Sequence, residues 1–216
     1  ARDLVLHLDE GAAHLRKPPR EDLGDLGGGR DRIAGKKAAA GGQGAFGNGE
    51  ETLFDPFLML DDFRGDRPSL YERGFPWHPH RGIETVTYML DGFVQHEDSI
   101  GNKGVIRSGD VQWMTAGSGI IHQEMPKGAP SGLMWGFQLW ANLPASRKMM
   151  EPRYREVKHS QIPETALDSG VKVKIICGRV NRVSCPVKNI FTDPEYLDVS
   201  VPTNTAFSHP EKIVDT

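Results

Sequence analysis

Residues 78–92 read HPHRGIETVTYMLDG, and this stretch decides the fold. Its second half, Ile83 to Leu90, is crowded with β-branched and aromatic residues, which suit the pleated surface of a sheet. Asp91-Gly92 follows with the positive-φ chemistry that a tight hairpin wants, so Phe93 to Glu97 is expected to return as the next strand. Working outward, the same texture repeats at short, regular intervals. Asn102 to Ile106 is one run, Ser108-Gly109-Asp110 turns it, and Val111 to Thr115 follows. Gly117-Ser118-Gly119 makes a corner before Ile120 to Met125, and Leu133 to Leu143 closes the series. Only Ala145 to Glu151 predicts a helix, which Pro152 ends. Such an array predicts an all-β protein, a small barrel or jelly roll able to hold a ligand in its mouth.

The chain around this array is uneven. Its first 50 residues hold 11 of the 25 glycines and one aromatic, Phe46, whereas all four tryptophans lie between Trp77 and Trp140. Residues 1–50 offer too little apolar surface to offset the entropy of ordering them, and they read as disordered or as foreign to the folded domain. Gly27-Gly28-Gly29 and Gly42-Gln43-Gly44 do not make a phosphate loop, since neither follows a strand signal or precedes Gly-Lys-Ser/Thr. A formal charge of −3 gives no field suited to general nucleic-acid or anionic-membrane binding. No apolar run is long enough to span a membrane, and no secretory signal is visible, so a cytoplasmic location is expected. Cys177 and Cys185 are expected as free thiols.

Four candidate metal ligands sit at the ends of the predicted strands. His78 and His80 are two residues apart, so on an extended strand both imidazoles face one side. His122 and Glu124 repeat that spacing on another strand. Two such pairs facing one interior would gather three nitrogens and a carboxylate oxygen, a donor set for Fe(II), Mn, Ni, Cu or Zn rather than Mg or Ca. A lone His-x-His is more often surface decoration; the second pair, between glycine corners, is what raises the metal reading.

These motifs also resemble a known family. His78-x-His80, three residues, Glu84, seven residues and Gly92 resemble the first cupin motif, and Gly109 through Gly119-Ile120-Ile121-His122 resembles the second. More closely, HPHRGIETVTYMLDG, GNKGVIRSGDVQWMTAGSGIIHQEMP (101–126) and LFDPFLMLDDF (53–63) resemble the pirin family, over roughly residues 52 to 207. The resemblance implies an iron-binding bicupin, with an N-terminal cupin over 52–160 and the start of a second, incomplete cupin over 171–216. It implies Fe(II) on His78, His80, His122 and Glu124, with Glu84 in a supporting or strand-face role.

Family members act as quercetin 2,3-dioxygenases or, in eukaryotes, as nuclear transcription cofactors. The resemblance therefore implies either an enzyme taking a flavonol and dioxygen, with Glu124 as the base for the 3-hydroxyl proton, or an iron-dependent regulator that docks on a protein partner. The shared ligand set does not separate the two. Of the remaining candidates, His96-Glu97-Asp98 reads first as a solvated strand end and only second as a ligand or proton relay. Trp113, Trp135 and Trp140 read as core rather than as a flavonoid platform. Arg81 reads equally as an anion-orienting group and as half of a salt bridge.

Overall fold

The computed structural model describes residues 3–9, 12–15, 36–37, 43–47, 54–167 and 170–209. In chain order the strands are β1 (Asp3–Asp9), β2 (Ala12–Leu15), β3 (Lys36–Lys37), β4 (Gln43–Phe46), β5 (Phe57–Gly65) and β6 (Phe75–His80). There follow β7 (Ile83–Asp91), β8 (Phe93–Asp98), β9 (Lys103–Arg107), β10 (Val111–Thr115), β11 (Ile120–Lys127) and β12 (Met134–Asn142). The last six are β13 (Arg153–Val157), β14 (Glu164–Ala166), β15 (Lys172–Cys177), β16 (Arg179–Val180), β17 (Val183–Ser184) and β18 (Glu195–Ser200). Among the described residues no helix is long and apolar enough to cross a membrane.

Two compact units divide the chain. The larger runs from Gly35 to Gln161 and adds Asn189–Thr192. It consists of a seven-stranded sheet ordered β13-β10-β7-β12-β5-β4-β3 and a four-stranded sheet ordered β6-β11-β8-β9. From β5 to β12 the chain passes repeatedly between these sheets, with β8 and β9 staying together in the smaller one, the habit of a jelly roll. Here the hairpin expected at Asp91-Gly92 is corrected. β7 pairs with β10 and β12, while β8 pairs with β11 and β9, so the chain changes sheets at this turn. Gly92 sits at φ 75°, where a Cβ would come within 2.6 Å of the Lys127 carbonyl oxygen. A corner and a hairpin both need a residue that tolerates positive φ, and local sequence alone does not distinguish them.

The interior of this barrel is layered. Interior side chains alternate along each strand, so Ile120, His122, Glu124 and Pro126 on β11 face the same way as Ile83, Thr85, Thr87 and Met89 on β7. At one level Ile83, Met114, Ala116 and Ile120 cluster, with Leu58 and Trp140 against them. At another, Phe63, Tyr71, Met89, Val94, Ile106 and Met134 form a second apolar cluster. Full burial of side chains of this size contributes roughly 1.5–3 kcal/mol each. Between the two clusters lies a layer of histidines, carboxylates and amides.

The smaller unit takes in the two ends of the chain, Ala1–Ala34, Ile162–Lys188 and Asp193–Thr216. Its five-stranded sheet is ordered β14-β15-β18-β1-β2, and β1 lies parallel to β18 with Asp3 opposite Glu195 and His7 opposite Val199. Four short runs within residues 1–50 are therefore strands, β1 and β2 here and β3 and β4 on the barrel's larger sheet. The disorder expected of that segment does not extend to them, because Leu4, Leu6 and Leu8 alternate in a way that composition averaged over 50 residues conceals. The rest of 1–50 lies outside the described residues. The helix expected over Ala145–Glu151 is a single 3-10 turn, Ala145–Arg147. Its apolar residues lack the recurrence of a packed helix face.

Candidate metal centre

The polar layer is assembled on two sheets. On the smaller sheet, His122 of β11 stands between His78 of β6 and Asp98 of β8, and Glu124 stands opposite His96. On the larger sheet one row crosses β5, β12, β7, β10 and β13 as Asp61, Gln138, Thr87, Gln112 and Glu156. Residues directly opposite on antiparallel strands share a face, so the whole row points into the barrel with Gln138.

The four sequence-predicted ligands fall into two groups that share His122. His78, His80 and His122 bring ligand atoms within 4.8 Å of one another, and so do His96, His122 and Glu124. The Nε2 atoms of His78 and His80 are 3.0 Å apart. The His78 Nδ1–H donates to the Pro76 carbonyl at 2.8 Å, which leaves Nε2 as its lone-pair nitrogen. The His122 ring lies 4.4 Å from that of His78 and 5.0 Å from that of His80. Glu84, by contrast, projects from the opposite face of β7. It is wholly buried there and accepts hydrogen bonds from the Thr115 and Thr192 hydroxyls, each at 2.7 Å.

The electrostatics favour neutral imidazoles. Burial, and then the neighbouring His78, press the His80 pKa down to about 4. Burial and three surrounding histidines press that of His122 to about 2. Glu124 is pushed up by its burial, against a hydrogen bond from the Gln138 amide at 2.8 Å. Gln138 is itself oriented, since the Trp140 indole N–H donates to its carbonyl oxygen at 2.9 Å. Trp140, expected as core, also meets His80 edge-on at 4.8 Å.

The residues fit a transition metal on their own terms. The buried His122 Nε2 and Glu124 Oε1 have no hydrogen-bond partner among the described residues. Leaving a buried lone pair and a carboxylate oxygen unmatched is costly unless a cation collects them. Three imidazole nitrogens with one carboxylate make a donor set for iron, manganese, nickel, copper or zinc.

His96-Glu97-Asp98 departs from the solvated strand end expected of it. His96 and Asp98 are buried, whereas Glu97 faces outward and pairs with Lys103 at 2.7 Å. Burial opposes ionisation of Asp98, yet hydrogen bonds from Asn102 and His96 hold its carboxyl below the usual range. The Tyr154 ring stacks on His96 at 4.6 Å. Gly104 permits this packing, because a Cβ there would collide with the Tyr154 hydroxyl and the Glu156 carboxylate. Arg81 is exposed and donates to the Met149 sulfur at 3.2 Å. Sequence reasoning missed Gln138, Gln112 and Asp61. Asp61 alone carried a signal, an acidic residue placed in phase with Met59 and Phe63 on a strand.

Comparison with known proteins adds an independent line. A family model described as Pirin matches residues 39–141. A pirin-like protein of Caulobacter vibrioides is 50% identical over 165 residues, which cover 76% of this chain and 59% of that protein. Pirin of Rattus norvegicus is 44% identical over 167 residues, covering 77% of this chain and 55% of that protein. A crystal structure of quercetin 2,3-dioxygenase from Acinetobacter baumannii matches with a TM-score of 0.61 at 36% identity, over 69% of this chain and 54% of that one. The chain thus spans a little over half the length of these relatives.

Proposed function

We propose, from the premise that this chain belongs to the pirin family and that its barrel is a cupin, that the polar layer binds iron(II) and serves a dioxygenase acting on a flavonol such as quercetin. The observation that carries the reading is the pair of unmatched buried atoms, His122 Nε2 and Glu124 Oε1, with His122 and the nearby His80 both kept neutral by burial. His78, His80, His122 and Glu124 would hold the metal. Bound there, iron(II) supplies Lewis acidity toward a flavonol hydroxyl and the redox capacity that reaction with dioxygen requires.

The protein's own groups do the rest. Glu124 would be the base: its burial raises its proton affinity, Gln138 holds Oε2, and the carboxylate would take the 3-hydroxyl proton either as it stays bound or by partly leaving the metal. Trp140, Ile120 and Met114 bound the layer on one side with apolar surface, which excludes water and strengthens each electrostatic contact inside. The name of the Acinetobacter baumannii relative supports quercetin as the substrate class to test first.

The test is oxygen uptake with quercetin after anaerobic loading with iron(II). Uptake that depends on both iron and quercetin, and that His122→Ala abolishes, supports the reading. Iron-loaded protein that binds metal and consumes no oxygen overturns the enzymatic part and favours the iron-dependent regulator.

A further inference from the structure

Three side chains in the polar layer form a hydrogen-bonded line that the metal reading leaves unused. Asp98 Oδ2 lies 3.2 Å from His96 Nε2, and both side chains are wholly buried. His96 Nδ1 lies 3.0 Å from the Gln112 side-chain nitrogen and 3.4 Å from His122 Nδ1. Asp98 is itself ringed by donors: its Oδ1 accepts from the backbone N–H groups of Ile100, at 3.1 Å, and Asn102, at 2.9 Å, and its Oδ2 accepts from the Asn102 side chain at 2.8 Å.

The proton positions along this line follow from those contacts. A carboxylate surrounded by donors acts only as an acceptor, so His96 carries its proton on Nε2. Its Nδ1 then bears a lone pair. That lone pair accepts from the Gln112 amide at 3.0 Å and also faces His122 Nδ1 at 3.4 Å, away from the point where the His78 and His80 Nε2 atoms converge. A bare His122 Nδ1 would set two lone pairs against each other there, whereas a proton on it is shared with His96 and leaves the His122 lone pair on Nε2. That is the buried atom without a partner. A free imidazole favours the opposite form, with its proton on Nε2, which would block coordination.

We propose that Asp98 and His96 are positioning residues which lock His122 into the Nδ1–H tautomer and so aim its Nε2 lone pair into the metal site. The proposal rests on the reading of His122 as a metal donor, and it assigns the cause of that competence to a carboxylate two side chains away. Metal-bound histidines commonly donate their second N–H to a carboxylate or carbonyl; here an imidazole is interposed. His78 reaches the same outcome by a shorter route, through the Pro76 carbonyl.

Asp98→Asn is a discriminating variant. The two backbone N–H groups will keep the amide oxygen at the Oδ1 position, so the amide nitrogen must face His96 Nε2. That nitrogen must then accept, Nδ1 becomes the donor, and His122 is driven to its Nε2–H form. The experiment combines nitrogen-15 NMR of the histidine rings in the metal-free full chain with titration by iron(II) under anaerobic conditions and by zinc(II). Wild-type protein should show His122 protonated on Nδ1. Asp98→Asn should show the reversed form and bind either metal about 10–100-fold more weakly. His96→Asn, whose side-chain oxygen stands where Nδ1 stood, should retain most of the affinity, whereas His96→Leu should not.

A His122 Nε2–H signal in metal-free wild type overturns the proposal, as does unchanged metal affinity in a folded Asp98→Asn variant. If Asp98→Asn does not fold, the wild-type tautomer decides. Wild type that shows the Nδ1–H form yet binds neither metal supports the hydrogen-bond line and overturns the metal reading instead.

Discussion

The barrel and the five-stranded sheet bury their interiors by different rules. In the sheet, Val173, Ile175, Leu197 and Val199 are fully buried, and the charged residues among them are paired: Asp198 with Lys174 at 3.5 Å and Glu195 with His209 at 3.0 Å. In the barrel, apolar clusters bracket a layer in which Asp61 Oδ1, Gln112 Oε1, His122 Nε2 and Glu124 Oε1 are buried without partners among the described residues. A core built only for stability pairs or omits such atoms. The contrast teaches that a concentration of unmatched donors and acceptors in one layer, rather than polarity itself, marks where a ligand belongs.

The comparison is sharpened most by Glu124→Gln. The amide still coordinates weakly, so some iron should remain, but oxygen uptake with quercetin should fall by about 10²–10⁴-fold, the usual range for a lost general base. Unchanged turnover would remove Glu124 from the chemistry. Next comes Leu197→Ala in the sheet, which should cost about 2–5 kcal/mol in denaturant unfolding through the cavity it leaves. Its iron affinity should match that of wild type; a large loss would show that the sheet's packing matters to the site.

Asp61→Asn should act in the opposite direction. Burial, and then the adjacent Asp62, raise the Asp61 pKa to about 6. A carboxyl whose folded pKa exceeds its unfolded value favours the fold fully below the unfolded pKa, and that contribution is lost as pH rises through the folded one. Wild type is thus penalised above about pH 6, and the variant is not. Asp61→Asn should stabilise metal-free protein by about 1–2 kcal/mol at pH 8 and by much less at pH 4. A pH-independent effect would refute the assignment of a buried, unpaired carboxylate there.

Much of the barrel is legible in the sequence because its signals are local. Val111–Thr115 has the expected boundaries, and the runs on either side differ by a residue or two, since alternation and glycine corners fix strand ends. The i, i+2 spacing sets His78 and His80 on one face of their strand, and His122 and Glu124 on one face of theirs, for the same reason. What required the structure is non-local. The same spacing in His96 and Asp98 carried no indication of burial, because inside and outside depend on how the four-stranded sheet is turned. Gln138 and Gln112 are neutral amides with no sequence signature, and their importance comes only from standing opposite Thr87 on β7. The β1–β18 pairing joins residues nearly the whole chain apart, which no short window can register.

The central claim is that the barrel's polar layer is a single metal site, and equilibrium dialysis against iron(II) under anaerobic conditions, with iron measured per chain, tests it most directly. The account predicts one iron per wild-type chain and almost none in the His80→Ala, His122→Ala double variant, because a shell missing two of four donors binds far more weakly. Full occupancy in a folded double variant, or none in wild type, would contradict it.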